Sequence, residues 1–415
     1  MPCSLCPTPF RAALAAVILL TPLTVHAQQA ERPGQSFRIT AADLPQPNAT
    51  PSANNSPRTV RRSPDAMPQV PPGFQVNVFA DGLANARWMA VAPNGDVFLA
   101  EPSAGRITVL RDADGDGTAE VKRPFIENQR QVHGMAFQGG NFYFSNPASL
   151  YRVPYKEGDL QATAQPQVLG GQNSLGDGAG HFTRNLAVSP DGRGLFVAVG
   201  SRGNEGEEPE VRASVQRFNV DGTGQATFGG GLRNPVGIAF RPGTSDLYVV
   251  VNERDGYGDG LVPDYLTRVQ QGDFYGWPYS YIGKNPAKGA LGTRRPELVA
   301  QSKVPDVLFQ AHSAPLGLAF YDGNQFPAEM RGDAFVALHG SWNAGKPTGY
   351  KVVRVPFRND RPTGEYINFA TGFWTAGSNT AEVWGRPVGI VVAKDGSLLI
   401  ADDVAQVVWR VSYRG

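Results

Sequence analysis

One short apolar pattern occurs six times along this chain of 415 residues. Each copy joins an apolar run that contains a small residue to a second apolar run, through a turn rich in Gly, Pro, Asp or Asn. Such runs of β-branched and aromatic residues between turns predict antiparallel β-strands. A third run follows in each copy, as at 215–218 in the third. The first run and turn of the six copies lie at 88–95, 134–140, 185–192, 237–243, 317–323 and 389–396.

The spacing of these copies predicts the architecture. The first intervals are close to the roughly 40–50 residues of a propeller blade, and the last two are longer, which predicts inserted loops. Six four-stranded antiparallel blades would form an all-β, six-bladed β-propeller over residues 71–415, whereas a β-sandwich would not repeat one motif six times. With 49 Gly, 34 Pro and only 18% charged residues, the chain is typical of turn-rich β proteins and unlike a helical bundle.

The N-terminus has the pattern of an export signal. Residues 1–27 contain Arg11, then an apolar run at 12–23, then an Ala-x-Ala-like end. The run is too short, and too interrupted by Pro22, to anchor the protein in a bilayer. We therefore expect a periplasmic or secreted protein that starts near Gln28; the alternative is a buried N-terminal helix. Residues 28–70 lack any periodic apolar pattern and are expected to be a disordered or loosely attached lead segment.

Charge and cysteine content exclude several classes of function. The net charge of +1 gives no reason to expect nucleic acid as a partner. Cysteine occurs only at Cys3 and Cys6, so the propeller region has no disulfide, zinc-thiolate site or cysteine nucleophile. No Gly-rich Rossmann or Walker fingerprint opens a helix, which argues against nicotinamide and nucleotide cofactors.

Polar residues collect where one rim of the propeller is expected. Loops that precede each inner strand and loops that follow each second strand meet at the same rim. Convergent polar side chains at such a mouth are the default active-site hypothesis, although a histidine that bonds backbone or an arginine that ties two blades would look the same. The residues concerned include Gln129, His133, His181, Arg233, Asp255, His312, His339, Arg386, Asp402 and Asp403.

An acidic segment at 112–117 is similar to half of a calcium loop. Arg123 stands where an EF-hand needs its bidentate Glu, so an EF-hand is excluded. A solvated β-turn fits Asp and Gly at these positions better.

Several longer segments resemble one known family. They are Gly-His-Phe-Thr-Arg-Asn-Leu-Ala at 180–187, Leu-Arg-Asn-Pro-Val-Gly at 232–237, Gly-Asp-Phe-Tyr-Gly-Trp-Pro-Tyr at 272–279 and His-Gly-Ser-Trp-Asn at 339–343. Together they resemble the glucose/sorbosone dehydrogenase family, soluble quinoproteins that use pyrroloquinoline quinone (PQQ), and most of all its sorbosone dehydrogenase branch. The resemblance extends over residues 71–413.

The resemblance implies roles for particular residues. His181 matches the general base of the family, and the calcium that polarises the quinone would be held at Asp255 and Gly256. A second, structural calcium would involve Asp264 and Tyr275. The loop at 253–256 departs from that of the soluble glucose dehydrogenases. The cofactor contacts implied by the match are Gln129, Arg233, Asn234, His339, Lys346 and Arg386.

The function that the resemblance implies is oxidation of an aldose or sugar aldehyde, with hydride transfer to PQQ and calcium as a Lewis acid. Electrons would pass on to an acceptor such as a cytochrome or a quinone. Two other functions stay open. One is a metal-dependent lactonase, with Glu101, Asn146 and Asp402 as ligands, which the excess of Arg and His at the rim disfavours. The other is a propeller that binds carbohydrate or protein without catalysis.

Overall fold

Short antiparallel β-strands make up most of the fold. The computed structural model describes Met1 and residues 31–415, so the predicted export signal and the start of the lead segment lie outside the described residues. Glu31–Gly415 forms one unit. Six of its sheets contain four or five strands. In each of them one edge strand begins a copy of the sequence repeat; we call it the first strand and number the sheets in the chain order of these strands.

The first three sheets follow one another along the chain. Sheet 1 contains Met89–Val91, Val97–Glu101, Arg106–Arg111 and Val121–Ile126. Sheet 2 contains Met135–Gln138, Asn141–Ser145, Leu150–Pro154 and Gln167–Leu169. Sheet 3 contains Leu186–Val188, Gly194–Val199, Ser214–Asn219 and Ala226–Gly230, with Asp273–Phe274 added in parallel at its edge.

The later sheets recruit strands from distant parts of the chain. Sheet 4 contains Asn234–Phe240, Leu247–Asn252, Tyr265–Val269 and Val307–Leu308. Sheet 5 contains Pro315–Phe320, Ala334–Leu338, Lys351–Val355, Glu365–Ala370 and, from the lead segment, Ser36–Arg38. Sheet 6 contains Pro387–Val392, Leu398–Asp402, Val407–Tyr413 and, from the start of the repeat region, Phe74–Ala80.

The first strands of the six sheets contact one another in chain order, and the first strand of sheet 6 contacts that of sheet 1. These contacts are close. A Cβ on Gly134 would lie 2.3 Å from the carbonyl oxygen of Arg184, and one on Gly317 would lie 2.2 Å from that of Val388. The glycine that opens several copies of the repeat is therefore required because a side chain there would collide with the neighbouring sheet.

The core lies between neighbouring sheets. Second strands such as Ala334–Leu338 and Leu398–Asp402 are buried at every position. Their apolar side chains pack with those of the next sheet, as Phe335 and Ile400 do in the cluster that joins sheets 5 and 6. A strand covered on both faces reads as a continuous apolar run, which is how these strands appear in the sequence.

The remaining elements are short. They are 3₁₀ turns at Ala41–Asp43 and Ala328–Met330, helices at Leu291–Arg294 and Pro296–Gln301, and strands at Arg58–Thr59, Ser280–Tyr281, Asn285–Pro286, Phe357–Arg358, Arg361–Pro362, Trp374–Ala376 and Glu382–Val383. Among the described residues, no helix has the length and apolarity needed to cross a membrane.

The described part of the lead segment differs from our expectation of a loosely attached tail. Ser36–Arg38 pairs with sheet 5, and Arg58–Thr59 pairs in parallel with Glu382–Val383. Lys351, almost fully buried, forms an ion pair with Glu31. These contacts use backbone groups and polar side chains, so no periodic apolar pattern announces them.

Candidate active site

His181 lies in the loop that precedes the first strand of sheet 3. Its Nδ1 is 2.8 Å from the carbonyl oxygen of Ser201. Because a carbonyl only accepts hydrogen bonds, Nδ1 carries the proton and Nε2 keeps its lone pair. Burial, and next the charge of Arg233, lower the pKa of His181 to about 4. His181 is therefore a neutral imidazole at pH 7, able to accept a proton at Nε2.

Arg233 lies at the entry to sheet 4 and is buried. Its guanidinium donates to Asn204 Oδ1 at 2.9 Å, but its distance to the carboxylate of Asp255 is 3.4 Å. Burial lowers the pKa of Arg233. The adjacent Asn234 is also buried, and its Oδ1 has no hydrogen-bond partner among the described residues. Arg233 is thus a desolvated cation whose nearest carboxylate is not in close contact.

Asp255 connects several rim loops. Its carboxylate accepts a hydrogen bond from Asn343 and lies 3.5 Å from His312 Nδ1. Burial alone would raise the pKa of Asp255, but His312 and Arg233 outweigh it and the pKa is lowered. Burial would lower the pKa of His312, and Asp255 reverses that shift. We call His181, Arg233, Asp255, His312 and Asn343 the Asp255 cluster.

A second polar group lies where sheets 5, 6 and 1 meet. Asp403 receives a hydrogen bond of 2.6 Å from Arg87 and one of 2.9 Å from His339 Nε2. Burial would raise the pKa of Asp403, but His339 and Arg87 hold it well below its usual range. Burial lowers the pKa of His339 to about 4. We call Arg87, His339, Asp403 and Arg386 the Asp403 cluster.

Arg386 differs from Arg87 in its partners. It donates to the carbonyl oxygens of His339 and Gly340 at 2.9 and 2.6 Å, and forms no ion pair with any described residue. Burial lowers its pKa. Arg386 is therefore a largely buried cation that is held in place by neutral groups.

Phe182 connects the two clusters. It follows His181 in the chain, and the guanidinium carbon of Arg87 lies 5.6 Å from the centre of its ring. The buried His133 contacts the same ring at 6.0 Å between centroids, and its Nε2 has no hydrogen-bond partner among the described residues. The described rim thus brings His181, Arg233, Asn234, Asp255, Arg386 and His339 into one connected region.

Other predicted site residues are not brought into this region by any observed contact. The amide of Gln129 bonds only to the carbonyl of Glu127, at 3.4 Å. Lys346 is exposed. The carbonyl oxygen of Gly256 accepts a hydrogen bond of 2.6 Å from Lys288. Their assignments therefore depend on the sequence resemblance alone.

The pair proposed for a structural calcium has other partners. Asp264 is buried, and its two oxygens accept backbone N–H bonds from Glu253 and Ala314, both at 2.8 Å. Burial raises its pKa to about 7. The hydroxyl of Tyr275 donates to the carbonyl of Arg268. Within the described chain these contacts tie loops together, and the second calcium stays a prediction.

The residues suggested for a lactonase metal are also used locally. Glu101 accepts hydrogen bonds from Arg106, Thr108 and the backbone of Ala84. One carboxylate oxygen of Asp402 accepts three backbone N–H bonds. The side chain of Asn146 closes its own turn.

The acidic segment at 112–117 is a turn, as its composition suggests. Asp112, Asp114 and Asp116 each accept backbone N–H bonds from residues of the same turn. Their carboxylates lie within 4.8 Å of one another and of Glu120 in an exposed group.

Two functional positions were missed in the sequence. Asn204 bonds both Arg233 and the backbone of Asp255, and Ser201 fixes the tautomer of His181. Both lie after the second strand of sheet 3, a loop class that should reach the rim. Their polarity is ordinary for a loop, so only the predicted topology could have singled them out.

Residues 68–260 and 293–414 match the model of the TrAA12-like family. The match includes His181, Arg233, Asp255 and Arg386. This chain belongs to the TrAA12-like family. The lead segment before residue 68 and the stretch 261–292 lie outside the TrAA12-like match.

Known proteins similar to this TrAA12-like chain include sugar dehydrogenases. The PQQ-dependent pyranose dehydrogenase of Coprinopsis cinerea is 26% identical over 80% of this chain, which spans only 53% of that protein. The holo structure of its PQQ domain shares the fold, with a TM-score of 0.71 and 22% identity, and covers 86% of this chain and 99% of that one. A calcium structure of a Trichoderma reesei family AA12 enzyme has a TM-score of 0.68 and 20% identity, and covers 86% and 100%. The predicted resemblance to soluble PQQ sugar dehydrogenases is thus confirmed.

Proposed function

We propose that this protein is a PQQ-dependent oxidoreductase that oxidises an aldose or sugar aldehyde, and that its sheets are the blades of a six-bladed β-propeller. The observation that carries the function is a neutral buried histidine beside buried arginines that lack a close carboxylate. PQQ, when bound, supplies three carboxylates and an electrophilic quinone that accepts a hydride. The names of the relatives support this chemistry.

His181 fits the role of general base. Its Nε2 lone pair is available because Nδ1–H is engaged by Ser201. A base in this state can take the hydroxyl proton of a sugar while hydride leaves the adjacent carbon. The low pKa of His181 results partly from the charge of Arg233. An anion bound to Arg233 would offset that charge and bring the pKa of His181 closer to neutral, where a base is most effective.

Arg233 and Arg386 fit the carboxylates of the cofactor. Both guanidiniums are desolvated, and neither has an ion pair shorter than 3.4 Å among the described residues. Buried arginine forks bind carboxylates strongly, often through two hydrogen bonds. The buried, unbonded Oδ1 of Asn234 can accept a hydrogen bond from a ligand N–H or O–H.

The calcium proposal rests on Asp255. Its carboxylate is partly exposed, and its pKa is lowered, so it is ionised and available as a hard oxygen ligand. Gly256 fits less well because Lys288 places an ammonium group on its carbonyl oxygen. Asp255 is therefore the better candidate for cofactor calcium.

Export, substrate and acceptor are further parts of the proposal. The N-terminal pattern supports a periplasmic or secreted enzyme, and a cytochrome or quinone would accept its electrons. Sorbosone-like substrates are supported only by the sequence resemblance.

Mass spectrometry of the protein from its host should show a new N-terminus near Gln28. Recovery of the intact Met1 form from the cytoplasm would contradict export.

Reconstitution tests the function. The purified protein would be titrated with PQQ, with and without Ca²⁺, and assayed for dye reduction with a panel of aldopyranoses and for hydrolysis of sugar lactones. We expect sugar-dependent dye reduction that requires PQQ and increases with Ca²⁺. Lactone hydrolysis without dye reduction would replace our proposal with the lactonase, and sugar binding without either activity would leave a binding propeller.

A further inference from the structure

The lead segment crosses the rim on which the candidate site lies. Residues 45–60, which we call the strap, lie outside the TrAA12-like match. The strap contacts three rim loops in turn: the loop after the second strand of sheet 4, the corresponding loop of sheet 5, and the loop before the first strand of sheet 6. These loops carry Asp255, Asn343 and Arg386 respectively.

At sheet 4 the strap bonds to the loop that follows Asp255. Ser52 Oγ accepts a hydrogen bond from the backbone N–H of Gly258 at 3.2 Å. The carbonyl oxygen of the same Gly258 lies 3.2 Å from His312 Nε2. Thr50 Oγ1 accepts the N–H of Asp259 at 2.9 Å. The strap therefore reaches the Asp255 cluster through Gly258, which contacts both Ser52 of the strap and His312 of the cluster.

At sheet 5 a single strap residue, Asn55, forms four hydrogen bonds. Its backbone N–H donates to the carbonyl of Trp342 at 2.7 Å. Its amide group donates to the carbonyls of Ala344 and Asn379, at 2.8 and 2.6 Å. Its Oδ1 accepts a hydrogen bond of 2.8 Å from Thr380. Asn55 thus fixes the loop of sheet 5 on both sides of Asn343, which binds Asp255, and ties it to the loop of sheet 6.

Trp342 stands out on this fixed loop. Its side chain is 49% exposed, and it is the only exposed aromatic residue among the exposed large hydrophobic residues of the described chain. An indole held in water on a rigid loop beside a polar site is a common arrangement for ligand binding. Pyranose rings present a face of C–H groups that stacks well on an indole, while their hydroxyls suit the polar cluster next to it.

We propose that Trp342 is a sugar-binding residue at the mouth of the site, and that Asn55 is the positioning residue that holds it there. The inference rests on the proposed function and extends it. It makes the strap, which is outside the family match, a determinant of substrate affinity in this chain.

The test compares Asn55→Ala, Trp342→Ala, the double variant and Trp342→Phe, using the best aldopyranose of the panel. Ser36→Ala is the matched control, since Ser36 belongs to the same lead segment but bonds to Glu365, away from the rim. Dye-reduction kinetics give KM and kcat, and calorimetry of the protein without cofactor gives the Kd for the sugar.

We expect Trp342→Ala to raise KM and Kd about tenfold with kcat changed less than about twofold. This result is typical of a residue that binds the substrate and the transition state equally well. Asn55→Ala should raise both about three- to tenfold, and the double variant should be no worse than Trp342→Ala, because two residues that act together are not additive. Trp342→Phe should retain most of the affinity, and Ser36→Ala should leave it unchanged.

Different failures overturn different parts. If the wild type oxidises sugars but Trp342→Ala leaves KM and Kd unchanged, the inference is wrong and the proposed function stands. If the effects of Asn55→Ala and Trp342→Ala add fully, Asn55 does not act through Trp342. If the wild type neither oxidises nor binds any sugar of the panel, the proposed function and the inference both fail.

Discussion

The Asp255 cluster and the Asp403 cluster both combine Asp, Arg and His on the same rim, but these side chains are paired with one another at different distances. Asp403 binds Arg87 and His339 at 2.6 and 2.9 Å. In the Asp255 cluster, Arg233 and His312 stand 3.4 and 3.5 Å from Asp255, and His181 bonds a neutral carbonyl. The contacts among Arg87, Asp403 and His339 are closed and resemble a structural ion-pair network, with Arg386 beside them bonded only to carbonyl oxygens. The Asp255 cluster instead leaves charge and a lone pair available to a ligand.

This difference separates structural histidines from reactive ones. The sequence placed His181 before a first strand and His339 after a second strand, in two loop classes that meet at one rim. Burial lowers the pKa of both to about 4. Their partners differ, since Nε2 of His339 binds Asp403 while Nε2 of His181 has no hydrogen bond to any of residues 31–415. Free hydrogen-bonding capacity, more than the pKa, therefore identifies the candidate base.

The largest expected effect is on turnover. His181→Gln should lower kcat by about 10²–10⁴, the usual contribution of a positioned base, and should leave PQQ binding and the melting temperature nearly unchanged. His339→Gln should do the reverse, with lower stability and most of the rate kept. Steady-state kinetics give kcat and thermal unfolding gives the melting temperature of the two variants. If His181→Gln keeps a kcat close to that of the wild type, the two clusters do not differ in function.

Asp403→Asn should cause the largest loss of stability. It leaves the buried Arg87 without its carboxylate, and breaking a buried pair of this kind costs about 3–5 kcal/mol of unfolding free energy. Asp255→Asn should cost clearly less, since its ion-pair contacts are longer and its carboxylate is 31% exposed. Urea unfolding of both variants makes the comparison; equal losses would mean that both clusters are structural.

Removal of Arg233 or Arg386 should weaken cofactor binding. Arg233→Ala and Arg386→Ala should each cost about 2–5 kcal/mol of PQQ affinity, since a desolvated carboxylate would lose its charged partner. Arg87→Ala is the control, because Arg87 is already paired with Asp403. Affinities from fluorescence titration that are unchanged in both Arg233→Ala and Arg386→Ala would show that these arginines are structural.

The remaining prediction concerns the slope of the unfolding free energy with pH. The pKa values of His133, His181 and His339 are lowered to about 3, 4 and 4, so between pH 6.5 and pH 4 the unfolded chain binds protons that the folded chain does not. Each of these histidines should therefore lower stability by about 1.4 kcal/mol per pH unit as pH falls through this window. The raised pKa values of Asp264 and Asp402 oppose part of that loss, because these buried carboxyls take up protons in the folded chain before they do in the unfolded chain. His133→Gln should reduce the slope measured by urea unfolding; an unchanged slope would contradict the buried neutral state.

The repeat was readable from the sequence because its cause is local. Several sheets have a glycine where their first strand meets that of the neighbouring sheet, as at Gly134, and the copies share a turn between the first two strands. The rim positions followed from that topology, which is why the sequence could place His181, Arg233 and Arg386 at one rim. Gln129 and Lys346 could not be tested in this way, because whether a rim side chain turns inward depends on its own loop.

The strap could not be predicted for a different reason. Asn55, Ser52 and Thr50 bind backbone groups of distant loops, and such contacts leave no periodic apolar signal. A polar segment rich in Pro and Asn has the same composition whether it is disordered or bonded to a surface. Only the positions of its partners, about 200 to 300 residues away in the chain, distinguish the two cases.

The pairing of Phe74–Ala80 with Val407–Tyr413 in sheet 6 has a consequence for biosynthesis. The two strands come from opposite ends of the propeller region, so the earlier strand has no partner until the ribosome has made the later one. At roughly 5–20 residues per second, that interval is on the order of half a minute. During this time an apolar strand edge is open to association with other chains. Covering this segment until the last strand has been made would therefore limit aggregation of the growing chain.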